Sequence, residues 1–334
     1  MSDAATRPRR NVAKCKRCGA VAKVEVARAN AAFCADCFVR FVHGQVMKAV
    51  DEHRMFTKAD RLLVCVSGGK DSLALWDILI DLGYDTTGYH IALWTGEEYA
   101  LESREKSEKF AARRGAELVI TDLRDDEGFT IETIAKEGRR TPCSVCGLTK
   151  RYLSNLAAVR GDYDVLVTGH NLDDEAATLL GNALHWQTEY LARQTPVLPQ
   201  THEKLKKKVK PLYRLGEREM AAYSILKGID YIVEECPLVG GNTALRYKDA
   251  LNSLERISPG TKQQFLFGFL DKAADAFAPA VSIALRACTR CGMPTPGDVC
   301  AYCRAKDQVV AAPADDEVRR EAVAEGVLPD EAPA

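Results

Sequence analysis

The stretch Arg61-Leu62-Leu63-Val64-Cys65-Val66-Ser67-Gly68-Gly69-Lys70-Asp71-Ser72 decides the fold of this chain. Residues 62–66 form a short apolar run with β-branched members, which predicts a strand buried on both faces of a parallel sheet. Residues 72–80 are rich in helix formers and predict a helix. Two glycines stand at the junction, where a backbone without Cβ atoms can approach an anion and direct successive N–H groups at it. The stretch therefore predicts a strand, a phosphate loop and a helix.

The loop is not a Walker A motif. That motif needs G-x-x-x-x-G-K-[ST], whereas here Asp71 follows Lys70 and Val64 occupies the place of the first glycine. Residues 67–72, SGGKDS, match instead the signature of the PP-loop ATP pyrophosphatases, which cleave ATP between the α and β phosphates to adenylate a substrate. The plain alternative is an ordinary turn in which Asp71 or Ser72 caps the helix. All six positions match, which favours nucleotide binding.

Further strands and helices alternate after the loop. Strands are predicted at residues 86–94, 117–121 and 165–168, and helices at 99–114, 149–159 and 174–186, with a charged connection over 122–141. This alternation predicts a doubly wound parallel sheet, an α/β fold. Ligands of such sheets bind outside the carboxyl ends of the strands, where the loop lies. Gly169 and three acids, Asp173, Asp174 and Glu175, follow the strand at 165–168. They predict either a helix cap or carboxylates that hold Mg²⁺ beside phosphates.

Twelve cysteines indicate metal or redox chemistry, because no secretory signal precedes them and the cytosol keeps thiols reduced. Eight of them form two pairs of C-x-x-C motifs, which predict two closed structural zinc sites. Cys65, inside the apolar strand, is expected to be a small buried hydrophobe. The two predicted zinc ligand sets are Cys15, Cys18, Cys34 and Cys37, and Cys288, Cys291, Cys300 and Cys303.

Three cysteines remain: Cys143, Cys146 and Cys236. One interpretation is a pair of thiols that carries persulfide through a transient disulfide. A second is an iron-sulfur cluster on three thiolates with one iron open, which the odd ligand number favours. A third is another structural zinc completed by His170 or His185.

The formal net charge of −1 does not indicate a general affinity for nucleic acid. The charge is nevertheless segregated. Residues 313–334 contain seven acids and two arginines and predict a disordered acidic tail, whereas residues 204–210 contain five lysines. In a protein that adenylates a substrate, we expect this lysine run to contact RNA phosphates, although a solvated loop is the common meaning of such a run. No long apolar stretch predicts a membrane span, and the expected location is the cytoplasm.

Together, SGGKDS, PCSVCGLTKR at 142–151, GHNLDDE at 169–175, ECP at 235–237 and the two terminal zinc ribbons resemble the tRNA 2-thiolation enzymes of the TtuA group, which includes archaeal and eukaryotic cytosolic thiouridylases. The similarity covers roughly residues 14–304 and extends to Thr243-Ala244-Leu245-Arg246-Tyr247-Lys248. We expect the chain to have six regions: a flexible N-terminus (1–13), a zinc ribbon (14–40), the PP-loop catalytic domain (41–235), a helical part (236–285), a second ribbon (286–305) and the acidic tail (306–334), to which the resemblance assigns no role.

The resemblance also implies a site. Ser67, Gly68, Gly69, Lys70, Asp71 and Ser72 would hold the phosphates of ATP, and His90 and Ile91 would lie beside the adenine. The cysteines Cys143, Cys146 and Cys236 would hold a 4Fe-4S cluster, with Lys150 one helical turn beyond Cys146 and with Gly169 and Asp174 facing the same cavity. Lys70, Asp71, Lys150 and Asp174 would be catalytic.

The implied reaction is the ATP-dependent 2-thiolation of a tRNA uridine. ATP adenylates the uracil oxygen, Mg²⁺ and Lys70 offset charge on the leaving pyrophosphate, and sulfur then expels AMP. The expected partners are tRNA, a sulfur donor that is either a ubiquitin-like thiocarboxylate carrier or free sulfide, and a second copy in a homodimer. The rival functions are a 2-thiocytidine synthetase-like enzyme and a non-catalytic zinc-ribbon RNA-binding protein.

Overall fold

The computed structural model describes residues 13–137, 141–240, 243–277 and 284–310. Its centre is a six-stranded sheet, with a small two-stranded sheet near each terminus. The strands are β1 (Val24–Val26), β2 (Ala31–Phe33), β3 (Arg61–Cys65), β4 (Asp85–Ala92), β5 (Leu118–Asp122), β6 (Val165–Thr168), β7 (Val197–Leu198), β8 (Lys207–Val209), β9 (Arg286–Ala287) and β10 (Pro294–Thr295). The helices are α1 (Ala35–Glu52), α2 (Lys70–Asp81), α3 (Glu97–Arg114), α4 (Leu123–Glu127), α5 (Ile131–Glu137), α6 (Pro142–Arg160), α7 (Leu172–Leu184), α8 (Thr188–Leu191), α9 (Glu217–Leu226), α10 (Thr243–Ile257), α11 (Thr261–Lys272) and α12 (Ala301–Val310).

The central sheet has the order β5-β4-β3-β6-β8-β7, in which every neighbouring pair is parallel except β7 with β8. The doubly wound α/β fold is therefore confirmed, with one antiparallel edge strand added. The chain moves outward from β3 through β4 to β5 and then returns to β6 on the other side of β3. This reversal opens a crevice at the carboxyl ends of β3 and β6, where ligands of such folds bind.

Strand β3 is the buried centre of the sheet, as its apolar sequence predicts: Leu62, Leu63 and Val64 are fully buried. Helix α2 packs on one face, where the indole of Trp76 lies flat against Gly88 of β4. A Cβ atom at Gly88 would come within 2.4 Å of Trp76, so a residue without a side chain is required there. The opposite face is covered by α6 through Ala157 and Ala158. The loop between β3 and α2 is thus held between two packed layers.

The prediction of an irregular connection over residues 122–141 is wrong, because this segment contains α4 and α5. The carboxylate of Asp122 accepts hydrogen bonds from the N–H groups of Arg124 and Asp125 and so caps α4, and Gly128 ends this helix in the left-handed conformation. Helix α6 also starts earlier than predicted, with Pro142 in its first turn. Both cysteines of the orphan C-x-x-C motif therefore lie inside a helix.

The lysine run is not a solvated loop. Residues 207–209 form β8, which pairs with β6 inside the central sheet. The ammonium of Lys207 donates to the Arg54 carbonyl at 2.6 Å, and Lys210 forms a 2.6 Å ion pair with the buried Glu175. The solvated-loop alternative is therefore wrong for residues 207–209, whereas the predicted contact of the run with RNA phosphates stays a prediction.

Each terminal two-stranded sheet carries one of the C-x-x-C sets: β1 and β2 near the N-terminus, β9 and β10 near the C-terminus. Helix α12 continues through Val310, so the predicted start of the disordered tail at residue 306 is wrong. The expectations for residues 1–12 and 311–334 lie outside the described residues. Among the residues that the structure describes, no helix is long and apolar enough to cross a membrane.

Candidate active site

The glycine loop has the geometry of an anion cradle. Gly68 has a φ of +72°, and a Cβ atom there would come within 2.5 Å of the Ser103 carbonyl oxygen, so only glycine fits. Gly69, at the N-cap of α2, offers no side chain to the first N–H groups of the helix. These N–H groups and the helix dipole favour a phosphate at this position.

A cavity of about 570 Å³ opens at the carboxyl ends of β3, β4 and β6. Most of the residues predicted to bind the nucleotide line it, including the loop, the strand end at His90 and the helix start at Asp174. The predicted residues on its wall are Ser67, Gly69, Asp71, Ser72, His90, Ile91, Lys150, Gly169 and Asp174, whereas Gly68 and Lys70 are not among its lining residues.

Lys70 points away from this cavity, into a neighbouring one of about 540 Å³. Its ammonium lies 3.1 Å from Asp71 Oδ2 and 2.7 Å from Glu217 Oε1. Burial opposes the charge on this side chain, but the two carboxylates outweigh burial and raise the pKa of Lys70. Lys70 is therefore protonated at pH 7, and its charge is balanced by Glu217. The sequence motifs did not single out Glu217.

Asp174 has one of the two functions that the sequence allowed, the helix cap, and its position leaves the Mg²⁺ function a prediction. It forms a capping box with Asn171 at the start of α7, and it also faces the cavity. Its Oδ1 lies 2.6 Å from the ammonium of Lys248 in α10. Burial raises the pKa of Asp174, but Lys248 more than compensates and holds it below the usual range. Lys248 was visible only as part of a stretch resembling the family, with no role attached to it.

The ring of His90 is buried beside the loop. Its Nδ1–H lies 3.1 Å from the Val66 carbonyl oxygen, and its Nε2 has no hydrogen-bond partner among the described residues. Burial lowers the pKa of His90 to about 4, so the ring is neutral at pH 7. A neutral ring that donates through Nδ1 presents Nε2 as an acceptor.

The three orphan cysteines interact with one another and with Lys150 but are not among the lining residues of the cavity. Cys143 and Cys146 are in the first turns of α6, and Cys236 is in the irregular segment after α9. That segment is tied to the glycine loop, because the N–H of Ile232 donates to the Gly68 carbonyl oxygen at 3.0 Å. Burial raises the pKa of Cys143, and so do the neighbouring Cys146 and Cys236. The three thiols therefore face one region and would repel one another as thiolates.

Lys150 connects this region with the cavity. Desolvation opposes its charge, but interactions with Cys146, Tyr99 and Cys236 raise the pKa of Lys150. Lys150 and Tyr99 both line the cavity wall. Lys150 and Tyr99 therefore link the cysteines to the cavity that the glycine loop also lines.

Two groups of four thiols, each with all sulfur atoms within 4.8 Å of one another, are the compact metal-ligand clusters in the described part of the chain. In the N-terminal group Cys18 Sγ and Cys34 Sγ are 3.6 Å apart, and in the C-terminal group Cys291 Sγ and Cys300 Sγ are 3.8 Å apart. Tetrahedral zinc with bonds of about 2.3 Å needs sulfur separations of about 3.8 Å. The orphan cysteines form no such group with His170 or His185, so the described residues do not support a third structural zinc.

The sheet order, the cradle and the cavity define a PP-loop nucleotide-binding protein, and a family model described as a PP-loop domain matches residues 42–247. The chain is 48% identical over 295 residues to the tRNA-5-methyluridine(54) 2-sulfurtransferase of Thermus thermophilus, which covers 88% of this chain and 91% of the relative. It is 42% identical over 292 residues to the protein of the same name from Pyrococcus horikoshii, covering 87% and 93%. The chain belongs to the PP-loop family of tRNA 2-sulfurtransferases represented by these proteins.

A solved structure has the same fold. The U34-tRNA thiolase NcsA from Methanococcus maripaludis, whose structure contains a [4Fe-4S] cluster, matches with a TM-score of 0.73 at 23% identity, over 87% of this chain and 95% of that chain. The match extends well beyond the PP-loop domain.

Proposed function

We propose that this protein replaces the 2-oxygen of a tRNA uridine by sulfur at the expense of ATP. One observation supports the proposal most strongly: the phosphate cradle lines a cavity whose wall also carries Lys150, and Lys150 interacts with Cys146 and Cys236. The 2-sulfurtransferases to which the chain is 48% and 42% identical carry this activity in their names. A uracil carbonyl oxygen is a poor leaving group, so ATP must activate it before sulfur attacks the same carbon atom. The nucleotide site and the sulfur site must therefore both reach that carbon atom.

The first half-reaction is adenylation. The uracil oxygen attacks the α-phosphorus of ATP, the bond to the β-phosphate breaks, and pyrophosphate leaves. The N–H groups of residues 67–72 offset the negative charge that develops on pyrophosphate, and the ammonium of Lys70 adds to this when it exchanges Asp71 or Glu217, its partners beside the neighbouring cavity, for a phosphate oxygen. His90 and Ile91 accommodate the adenine, since the neutral ring offers Nε2 as an acceptor for an amino group. In the second half-reaction sulfur attacks carbon 2 and AMP departs with the oxygen.

Two metal centres fit the residues present. Asp71 and Asp174, carboxylates on the cavity wall, suit Mg²⁺, which offsets phosphate charge. The alternative role for Asp174 is proton transfer. The three thiols Cys143, Cys146 and Cys236 suit a 4Fe-4S cluster, since they share one region yet are not gathered as single-ion ligands and need positive charge to coexist as thiolates. When bound, such a cluster supplies an iron with an open position for sulfur.

The proposed target is 5-methyluridine at position 54 of tRNA. This nucleotide is part of the names of the proteins that are 48%, 42% and 40% identical to this chain.

The remaining elements of the proposal are zinc in both four-cysteine ribbons, a role of the ribbons in binding tRNA, a cytoplasmic location and a homodimer. The sulfur donor is either a ubiquitin-like carrier with a C-terminal thiocarboxylate or free sulfide. Supplying each donor in turn to the purified enzyme distinguishes them.

The test is anaerobic purification followed by incubation with ATP, sulfide and unthiolated tRNA, with the nucleosides identified by mass spectrometry. We expect 2-thiolated 5-methyluridine, release of pyrophosphate, and iron in the wild type. Cys236→Ala should lose iron and thiolation but still bind ATP. Cys65→Ala is the cysteine control for iron content only, because Cys65 lies outside the orphan set but lines the cavity. 2-Thiocytidine as the product would favour the 2-thiocytidine synthetase-like enzyme, and absence of pyrophosphate would favour the non-catalytic protein. Zinc without iron would refute the cluster.

A further inference from the structure

A wall of the cavity carries positive charge that the mechanism above does not use. Lys150, Arg151 and Lys208 all line this wall. Lys150 interacts with Cys146. Arg151 and Lys208, by contrast, have no hydrogen-bond or ion-pair partner for their side chains within the described ranges. Arg151 lies exposed on α6 and Lys208 is partly buried on β8.

Lys208 differs in this respect from the lysines beside it in sequence. Lys206 lies 3.8 Å from Asp162, Lys207 donates to a backbone carbonyl, and Lys210 is paired with Glu175. Because side chains alternate across a strand, Lys208 shares the sheet face of its β6 neighbour Leu166, and Leu166 also lines the cavity. The fold thus directs one member of the lysine run into the site.

The charge of Lys208 is not balanced locally. Burial lowers the pKa of Lys208, and together with the like charges of Lys210 and Arg151 it outweighs the interactions with Cys65 and Glu175, which raise this pKa. The acids on the cavity wall do not compensate, because Asp71 is paired with Lys70 and Asp174 with Lys248. A partly buried cation without a partner is unfavourable unless a ligand supplies an anion. This wall is therefore built for an anionic group.

We propose that Lys208 and Arg151 bind a backbone phosphate of the substrate RNA beside the nucleotide to be modified. This inference rests on the proposed function and names a subsite within the same cavity. The alternative ligand of Lys208 and Arg151 is a phosphate of ATP. The strand position favours RNA, because β8 lies two strands from β3, about 10 Å away, but Lys208 also interacts with Cys65 at the end of β3, so the two ligands are separated by experiment. A uridine whose oxygen reaches ATP brings its own phosphate into the remaining part of the cavity.

The test compares Lys208→Met and Arg151→Met with wild type in two separate binding measurements, tRNA transcript without ATP and ATP without tRNA. Each variant should bind tRNA about tenfold more weakly, the size of one charge-assisted hydrogen bond, and should lower the salt dependence of tRNA binding by about one counterion. Binding of ATP should stay unchanged. Lys208→Arg should restore tRNA binding, because it keeps the charge.

The matched control is Lys109→Met, which removes one positive charge from an exposed lysine on α3 that is paired with Glu105 and lines neither cavity. Arg151 is exposed, so its replacement keeps the test valid if Lys208→Met does not fold. Weaker ATP binding with unchanged tRNA binding would assign the pair to the nucleotide and overturn the inference. Unchanged binding of both ligands would also overturn it. Because neither measurement uses sulfur transfer, a protein that binds tRNA through Lys208 but does not thiolate it would refute only the proposed function.

Discussion

Replacing Lys248 by Met should impair catalysis although Lys248 lies outside every motif of the loop and the cysteines. Its ammonium is 2.6 Å from Asp174 Oδ1 and 3.5 Å from Glu217 Oε2, so it joins the cavity carboxylate to the partner of Lys70. Without Lys248, the main interaction that outweighs burial at Asp174 is lost, and the negative charge that Asp174 retains is uncompensated beside Asp71, whose pKa is raised by burial and, among other contacts, by Asp174. ATP phosphates would then approach an uncompensated carboxylate.

The size of the effect follows from the exposure of the ion pair. The side chains of Lys248 and Asp174 are 20% and 27% exposed. A surface pair contributes less than about 1 kcal/mol, and breaking a fully buried pair costs about 3–5 kcal/mol. This partly buried pair should therefore contribute about 1–3 kcal/mol, which corresponds to a loss of about 5-fold to 150-fold in kcat/KM.

The assay is tRNA thiolation with ATP varied, so that kcat and the KM for ATP are obtained separately. We expect Lys248→Met to raise the KM for ATP and lower kcat, and Lys248→Arg to restore most of the activity. Arg246→Met is the matched control, because it removes one positive charge from an exposed position on the same helix. Wild-type kcat/KM in Lys248→Met, or an equal loss in Arg246→Met, would refute the reasoning.

Two further predictions concern stability, and a third concerns the metal content of the C-terminal ribbon. Lys262→Met leaves the buried carboxylate of Asp173 without its cation and should lower the free energy of unfolding by about 3–5 kcal/mol in urea titrations, and a loss below 1 kcal/mol would contradict this. Cys300→Ser should reduce bound zinc by one ion per chain by metal analysis, and full retention would exclude a four-thiolate site. Burial raises the pKa of Asp81, but Lys227 and Arg114 outweigh burial and lower it, so the stability from this carboxylate is present above the unfolded pKa of about 4 and lost as pH falls through the folded value. Lys227→Met should therefore be about 1 kcal/mol less stable at pH 7, with a difference that shrinks below pH 4, and a difference independent of pH would contradict the assignment.

The sequence predicts the centre of the fold well because the signals there are local. A buried apolar run, two glycines and a helix pattern specify β3, the cradle and α2 within twelve residues. The two four-cysteine groups are equally local, since their spacing alone indicates a tetrahedral site. The place of Asp174 on the cavity wall also follows, because a helix that starts after a parallel strand begins at the ligand-binding edge.

The sequence cannot predict contacts that depend on how distant helices pack. Glu217 is paired with a lysine that is 147 positions earlier in the chain, and no periodicity links the two. The lysine run illustrates the same limit. Its charge suggests a solvated loop, but hydrogen bonding of β8 to β6 determines which lysine faces the cavity and which ones are used inside the fold. Burial and pairing, rather than composition, assign the roles.

The packing of the C-terminal ribbon gives its four-cysteine site, where we propose zinc, a consequence for catalysis. Tyr302 of α12 stacks on Tyr152 of α6, with ring centroids 3.8 Å apart and an interplanar angle of 9°. The ammonium of Lys306 lies 2.7 Å from Glu127 of α4. Helix α6 carries two of the orphan cysteines and Lys150, and a stacked aromatic pair is among the stronger contacts that can orient a helix. Because the ribbon's two strands span only two residues each, its shape depends on the four thiolates. Removing zinc should therefore loosen α6 and reduce sulfur transfer without changing any residue of the cavity.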